Sequence, residues 1–149
     1  MGKKPKVRRD PEPRKQPSTG GVEPEPPGLL TWRLADADLD GRWGWRNLDG
    51  AHLDELHRDL AGAELATRHE LERQKRIKAI PVEHVCREAQ ERLVKVVGEE
   101  HDTLWELRIA TRQKHRVWGI VRGSVFRLLW WDPDHTVAAE GPPRGTRRQ

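Results

Sequence analysis

The sequence predicts an α+β fold: a short N-terminal strand, a helical hairpin, then an antiparallel sheet of three to four strands, with disordered tails on either side. Three observations lead there. Between residues 49 and 98, apolar residues recur at the three- and four-residue spacing of helices. From residue 104 to residue 131 the pattern changes to short β-branched and aromatic runs broken by Gly. Residues 1–28 hold seven of the eleven prolines, together with Gly20-Gly21 and Pro26-Pro27-Gly28. Such a composition cannot bury enough apolar surface to offset the entropy of ordering. Residues 1–28 and 138–149 are therefore expected to be disordered basic tails around one domain, residues 29–137.

Within that domain, Leu29 to Leu34 reads as the first strand, followed by an Asp- and Trp-rich loop to Asn47. Asp49 can cap a helix whose apolar residues Leu53, Leu56, Leu60 and Ala63 fall on one face. Thr67 and Glu70 have capping-box spacing and open a second, highly charged segment that should run to about Lys78, where Ile80-Pro81 ends it. A third helix from Val82 gathers Val82, Val85, Cys86, Ala89, Leu93, Val96 and Val97, and stops at Gly98, a residue suited to an αL cap. Leu104 to Thr111 reads as a strand. The coarse order is β, α, α, β, β, β.

His115 to His135 reads as one hairpin, because Val117 to Val121 and Val125 to Trp131 flank Arg122-Gly123 and Gly tolerates the positive φ of a tight turn. If Arg122 and Gly123 form the loop, Trp118 lies opposite Arg127. Side chains alternate between faces along a strand. Val117, Val121, Phe126, Leu128 and Trp130 then form a core face. Arg116, Trp118, Arg127 and Trp131 lie on the other, joined by Arg108 from the preceding strand. The expectation is a basic, Trp-bearing sheet face open to solvent.

Charge sharpens this picture. The net +4 is unevenly placed: residues 1–28 carry +3, residues 29–137 carry −1 and residues 138–149 carry +2. Within the domain, Thr103 to Trp131 has six basic residues (Arg108, Arg112, Lys114, Arg116, Arg122 and Arg127) against Glu106 alone. A positive field therefore belongs to the sheet, consistent either with a solvated face or with phosphate binding. Lys3 to Arg9, KKPKVRR, could add non-specific phosphate contacts. No apolar run approaches the ~20 residues of a membrane span, and the N-terminus lacks the apolar core of a secretory signal. A cytoplasmic protein without a membrane role is expected.

Metal and nucleophile chemistry find little support in the spacing. The lone Cys86 sits on an apolar helical stripe and reads as core. Asp36, Asp38 and Asp40 before Gly41 match the opening of a calcium loop, but Asn47 stands where a bidentate Glu is needed. His52 and His57 are five apart and read as surface histidines, so no zinc site and no cofactor is expected. Asp132-Pro133-Asp134-His135 reads as a turn with Pro at its second position rather than as a divalent-ion site. With one Phe and no Tyr, Trp32, Trp43, Trp45, Trp105 and Trp130 are needed as core bulk.

The order of elements, with RVWGIVRGSVFRLLWWDPDH at Arg116 to His135, resembles the RelE/ParE-like superfamily of small bacterial toxins, notably a bacterial branch sharing IPVE (Ile80 to Glu83), a WGI hairpin and LLWWDPDH. The resemblance spans residues 29–137 by element order and Leu104 to His135 by motif. It implies an RNA-directed protein, either an mRNA-cleaving, metal-independent endoribonuclease acting on or off the ribosome or a catalytically weak RNA binder. It also implies an antitoxin protein as a partner. Cleavage through a ribose 2′-hydroxyl needs a base, a cation at the phosphate and an acid. Arg116 and Arg127 are the candidate catalytic cations, and His115 and His135 the candidate proton carriers. Arg108, Lys114, Arg116, Trp118, Arg127 and Trp131 are the candidate nucleic-acid contacts, the Trp rings by stacking on bases. The absence of Tyr and the C-terminal AAEGPPRGTRRQ leave catalysis open. The rival reading is a non-enzymatic protein-interaction module of the same fold, antitoxin-bound or of the gyrase-inhibiting type.

Overall fold

In a computed structural model of the chain, the described residues are 28–109 and 114–138. All but the innermost residue of each expected tail, and Arg112, lie outside them. Within them the first strand, β1 (Thr31–Arg33), is followed by an irregular segment closed by one turn of 3-10 helix at Trp45–Asn47. Helix α1 (Gly50–Ala63) begins where the Asp49 carboxylate accepts the His52 backbone N–H at 2.9 Å, the expected cap. Leu56 and Ala63 are buried and Leu60 is partly buried, but Leu53 is exposed.

Helix α2 (Arg68–Arg73) opens on the predicted capping box: Thr67 Oγ1 accepts from Glu70 N–H, and the Glu70 carboxylate accepts from Thr67 N–H. It ends well short of Lys78. Lys75 takes a left-handed φ of 61°, and Ile77–Pro81 forms a strand, β2, paired with the strand Thr103–Arg108, β3. Pairing with β3 overrides the local helical tendency of the charged run, because it buries Ile77 while Lys78 and Ala79 stay in solvent. A 3-10 turn at Val82–His84 then leads to helix α3 (Arg87–Val97), which stops at Gly98 in the expected left-handed conformation, φ 83°.

The remaining strands are β4 (Arg116–Arg122) and β5 (Val125–Asp132), giving a five-stranded sheet of order β1-β5-β4-β3-β2, antiparallel except for β1 against β5. The fold is α+β, with one more strand than the sequence pattern suggests. The hairpin loop is Gly123-Ser124 rather than Arg122-Gly123, with Gly123 at φ 63°. Ile120 therefore lies opposite Arg127, and a bulge beyond Trp118 brings Trp118 opposite Trp130. The bulge places Leu129 and Trp130 in one core cluster and sends Trp131 to the other.

Both faces of the sheet are covered, which corrects the expected open basic face. On one, Ile77, Leu107, Val117, Phe126, Leu128 and Trp131 pack with Leu56, Ala63 and Leu71 of α1 and α2. On the other, Leu104, Trp118, Ile120, Leu129 and Trp130 pack with Ala89 and Leu93 of α3 and with Trp43. Arg108, Arg116, Trp118 and Arg127 do share this second face by register, as expected. The amphipathic α3 caps its centre, so Trp118 is completely buried. Gly119 is required by close approach: a Cβ there would stand 2.2 Å from the Arg127 carbonyl oxygen and 2.4 Å from the Phe126 ring.

Candidate nucleic-acid interface

Beyond the reach of α3, one end of the second sheet face is polar. Cross-strand register sets Lys78 beside Glu106 and Arg108 beside Arg116, with Arg116 in turn beside Asp132. Glu106 is the hub of this corner. Its carboxylate accepts from Arg116 Nε at 3.2 Å, with both side chains nearly buried, and lies 3.9 Å from His135 Nε2. Burial first, and then the Arg116 guanidinium, holds the His135 imidazole below its ordinary pKa, against the opposing pull of Glu106 and Asp132. The shift favours the uncharged imidazole.

The backbone that presents His135 is held by one buried carboxylate. Asp132 accepts from Thr136 N–H at 2.8 Å, Val137 N–H at 3.0 Å, Thr136 Oγ1 at 3.2 Å and Trp118 Nε1 at 3.1 Å. His135 adopts φ 59°, a conformation in which His is tolerated but not favoured. Pro133 occupies the second position of the turn, closed by His135 N–H to the Asp132 carbonyl. The Asp-Pro-Asp-His segment is therefore a turn, with the Asp132 oxygens committed to protein donors.

Where β2 and β3 run past α2, a cleft of about 400 Å³ opens, lined by Lys75, Arg76, Lys78, Arg108, Glu72 and Glu106 among others. Among the described residues none of its four cations makes an ion pair, and Arg76 Nε is buried without a hydrogen-bond partner. Its two carboxylates are engaged elsewhere: Glu106 by Arg116, and Glu72 by Arg68 at 3.8 Å and His69 at 3.6 Å.

The predicted site residues are thus divided among several environments. Arg116 and His135 are brought together around Glu106. Arg108 lines the adjoining cleft, and Lys114 is exposed at the approach to β4. Arg127 lies elsewhere on the same face, its Nε bound to Asp36 at 2.7 Å. His115 belongs to the opposite face, its Nδ1 2.9 Å from Glu55 of α1. Trp118 and Trp131 are buried, Trp131 against the rings of Trp45, His52 and His115, so neither offers a base-stacking surface. The would-be calcium loop uses its carboxylates on cations instead: Asp36 on Arg127, Asp38 on Arg92 and Asp40 on Arg46.

Sequence reasoning missed Lys75, Arg76 and Lys78. The signal lay in RQKRIKAIP, Arg73 to Pro81, where apolar Ile77 and Ile80 precede a Pro in the manner of an edge strand. Comparison with protein-family models, curated proteins and solved structures finds no match to this chain.

Proposed function

We propose that the protein binds RNA, without cleaving it, through the cleft of Lys75, Arg76, Lys78 and Arg108. The observation that carries this reading is the convergence of four cations without ion-pair partners, among the described residues, on one open cleft. Phosphate is the ligand chemistry such a cluster suits, because each contact releases condensed counterions. With all three hairpin Trp rings buried, recognition is by backbone charge rather than by stacking, and so tolerates many sequences. The basic +5 stretch from Thr103 to Trp131 and the resemblance of the hairpin to RNA-directed toxins support RNA as the polymer. Against cleavage, Arg116 and Arg127 are each held by a carboxylate, and His115 lies on the other face.

The test is fluorescence anisotropy with a labelled single-stranded RNA at several salt concentrations, the same RNA then being run on a gel. Arg108→Ala and Lys78→Ala are each expected to weaken binding and to flatten the plot of log affinity against log salt by about 0.7. Arg122→Ala, at the hairpin turn, is expected to leave the slope unchanged. Affinity and slope that survive the Arg108/Lys78 double substitution would overturn the reading in favour of a protein-interaction module. Cleaved RNA, lost in His135→Ala while binding persists, would overturn its non-catalytic part.

A further inference from the structure

We propose that His52, Glu55 and His115 form a binding site for a divalent transition-metal ion of the zinc class. The three come from two elements: His52 and Glu55 are three residues apart in the first turns of α1, and His115 immediately precedes β4. One ligand atom from each lies within 4.8 Å of the other two. His115 Nδ1 is already 2.9 Å from the Glu55 carboxylate, and the two imidazole rings stand edge to face, centroids 4.7 Å apart. Ligands of a tetrahedral zinc ion, at 2.0–2.2 Å from the metal, are about 3.3 Å from one another.

A further contact supports a ligand role over a chance meeting of polar groups. Asp49, the cap of α1, accepts from the His52 backbone N–H and lies 2.8 Å from His52 Nδ1. That contact holds the Nδ1–H tautomer and leaves Nε2 as the lone pair, the carboxylate–imidazole arrangement that orients metal-binding histidines. His115 would bind through Nδ1 as its Nε2–H tautomer, and Glu55 exchanges its hydrogen bond for coordination. Two imidazoles and one carboxylate suit zinc, cobalt or nickel rather than magnesium or calcium, which prefer oxygen alone. His52, Glu55 and His115 side chains are 32%, 23% and 15% exposed, so an ion can enter and a water can complete its shell. The site lies on the α1 side of the sheet, opposite Arg108 by register, and does not rest on the RNA reading.

The experiment is titration of the chelator-treated full chain with Co2+, read by visible absorption and by Trp fluorescence. One equivalent is expected to bind, with a tetrahedral or five-coordinate spectrum displaced by Zn2+. Trp131, whose ring centroid is 5.5 Å from that of His52 and 5.7 Å from that of His115, is expected to be quenched, and Trp131→Phe to remove most of that signal. His52→Gln, His115→Gln and the near-isosteric Glu55→Gln should each weaken binding at least tenfold, and Asp49→Asn about 10–100-fold. His57→Gln should leave it unchanged. Circular dichroism of each variant separates loss of the site from loss of the fold. Wild-type protein that forms no stoichiometric Co2+ complex at micromolar concentrations, or a His52/His115 double variant that binds as tightly as wild type, would overturn the proposal.

Discussion

Replacing Trp118 with Phe separates a core role for this residue from a surface one. The indole is fully buried, and its Nε1 donates to Asp132 at 3.1 Å. Phe keeps most of the ring but removes that donor, leaving Asp132 with Thr136 and Val137 as its partners. A hydrogen bond to a charged group contributes about 1.5–3 kcal/mol. The smaller ring leaves a gap of a few tens of Å³, which at ~24 cal/mol per Å³ adds about 1 kcal/mol. The expected loss is therefore about 2–4 kcal/mol, a large share of the ~5–15 kcal/mol typical of a domain. Urea unfolding followed by far-UV circular dichroism, which does not depend on the removed indole, should show the midpoint falling by about 1–2 M. A cycle with Asp132→Asn should give a coupling of at least ~1 kcal/mol. RNA affinity should stay within about twofold. An unchanged midpoint together with a tenfold loss of RNA affinity would refute the buried placement of Trp118 and restore it as a stacking residue.

Gly119→Ala should destabilise the fold by about 1–3 kcal/mol or more, because the added methyl meets the Arg127 carbonyl oxygen and the Phe126 ring, neither of which can withdraw; an unaltered melting temperature would exclude that contact. Acid stability should depend on Asp38. Burial alone would raise its pKa, but hydrogen bonds from Arg92 and Trp130 outweigh that and hold it below the ordinary value. Its stabilisation is therefore complete above the unfolded-state value near pH 4 and lost as pH falls through the lower folded-state value. Arg92→Ala should leave the buried carboxylate with the Trp130 indole but no counter-charge and raise the pH of acid unfolding, measured by circular dichroism from pH 6 to pH 2.

Local chemistry made much of this fold legible. The caps at Asp49 and Thr67 and the left-handed Gly98 depend on a few neighbouring residues, and so did the existence of both hairpin strands. Long-range packing was not legible. Period-two alternation identified the shared face of Arg108, Arg116, Trp118 and Arg127, but nothing in it says that α3 lies across that face. The bulge beyond Trp118 reversed the facing of Trp130 and Trp131, and a one-residue irregularity leaves no mark in a run of Leu and Trp. Of the candidate site, the pairing of Arg116 with Glu106 follows from adjacent strands, yet the cleft depends on β2, whose residues look helical until β3 is there to pair with them. Likewise His52 and Glu55 share a helix face in the sequence, whereas His115 joins them from 60 positions beyond Glu55.

The parallel pairing of β1 with β5 has a consequence for synthesis. Thr31 hydrogen-bonds Ser124, 93 positions later. At ~5–20 residues per second on the ribosome, β1 waits roughly 5–20 s for its partner. Leu30, buried in the finished protein, and the Trp32 ring that packs on Phe126 have no β5 to cover them during that interval. A nascent chain stalled after residue 110 should thus be a good client for holdase chaperones, and release of the hairpin from the exit tunnel should end the association.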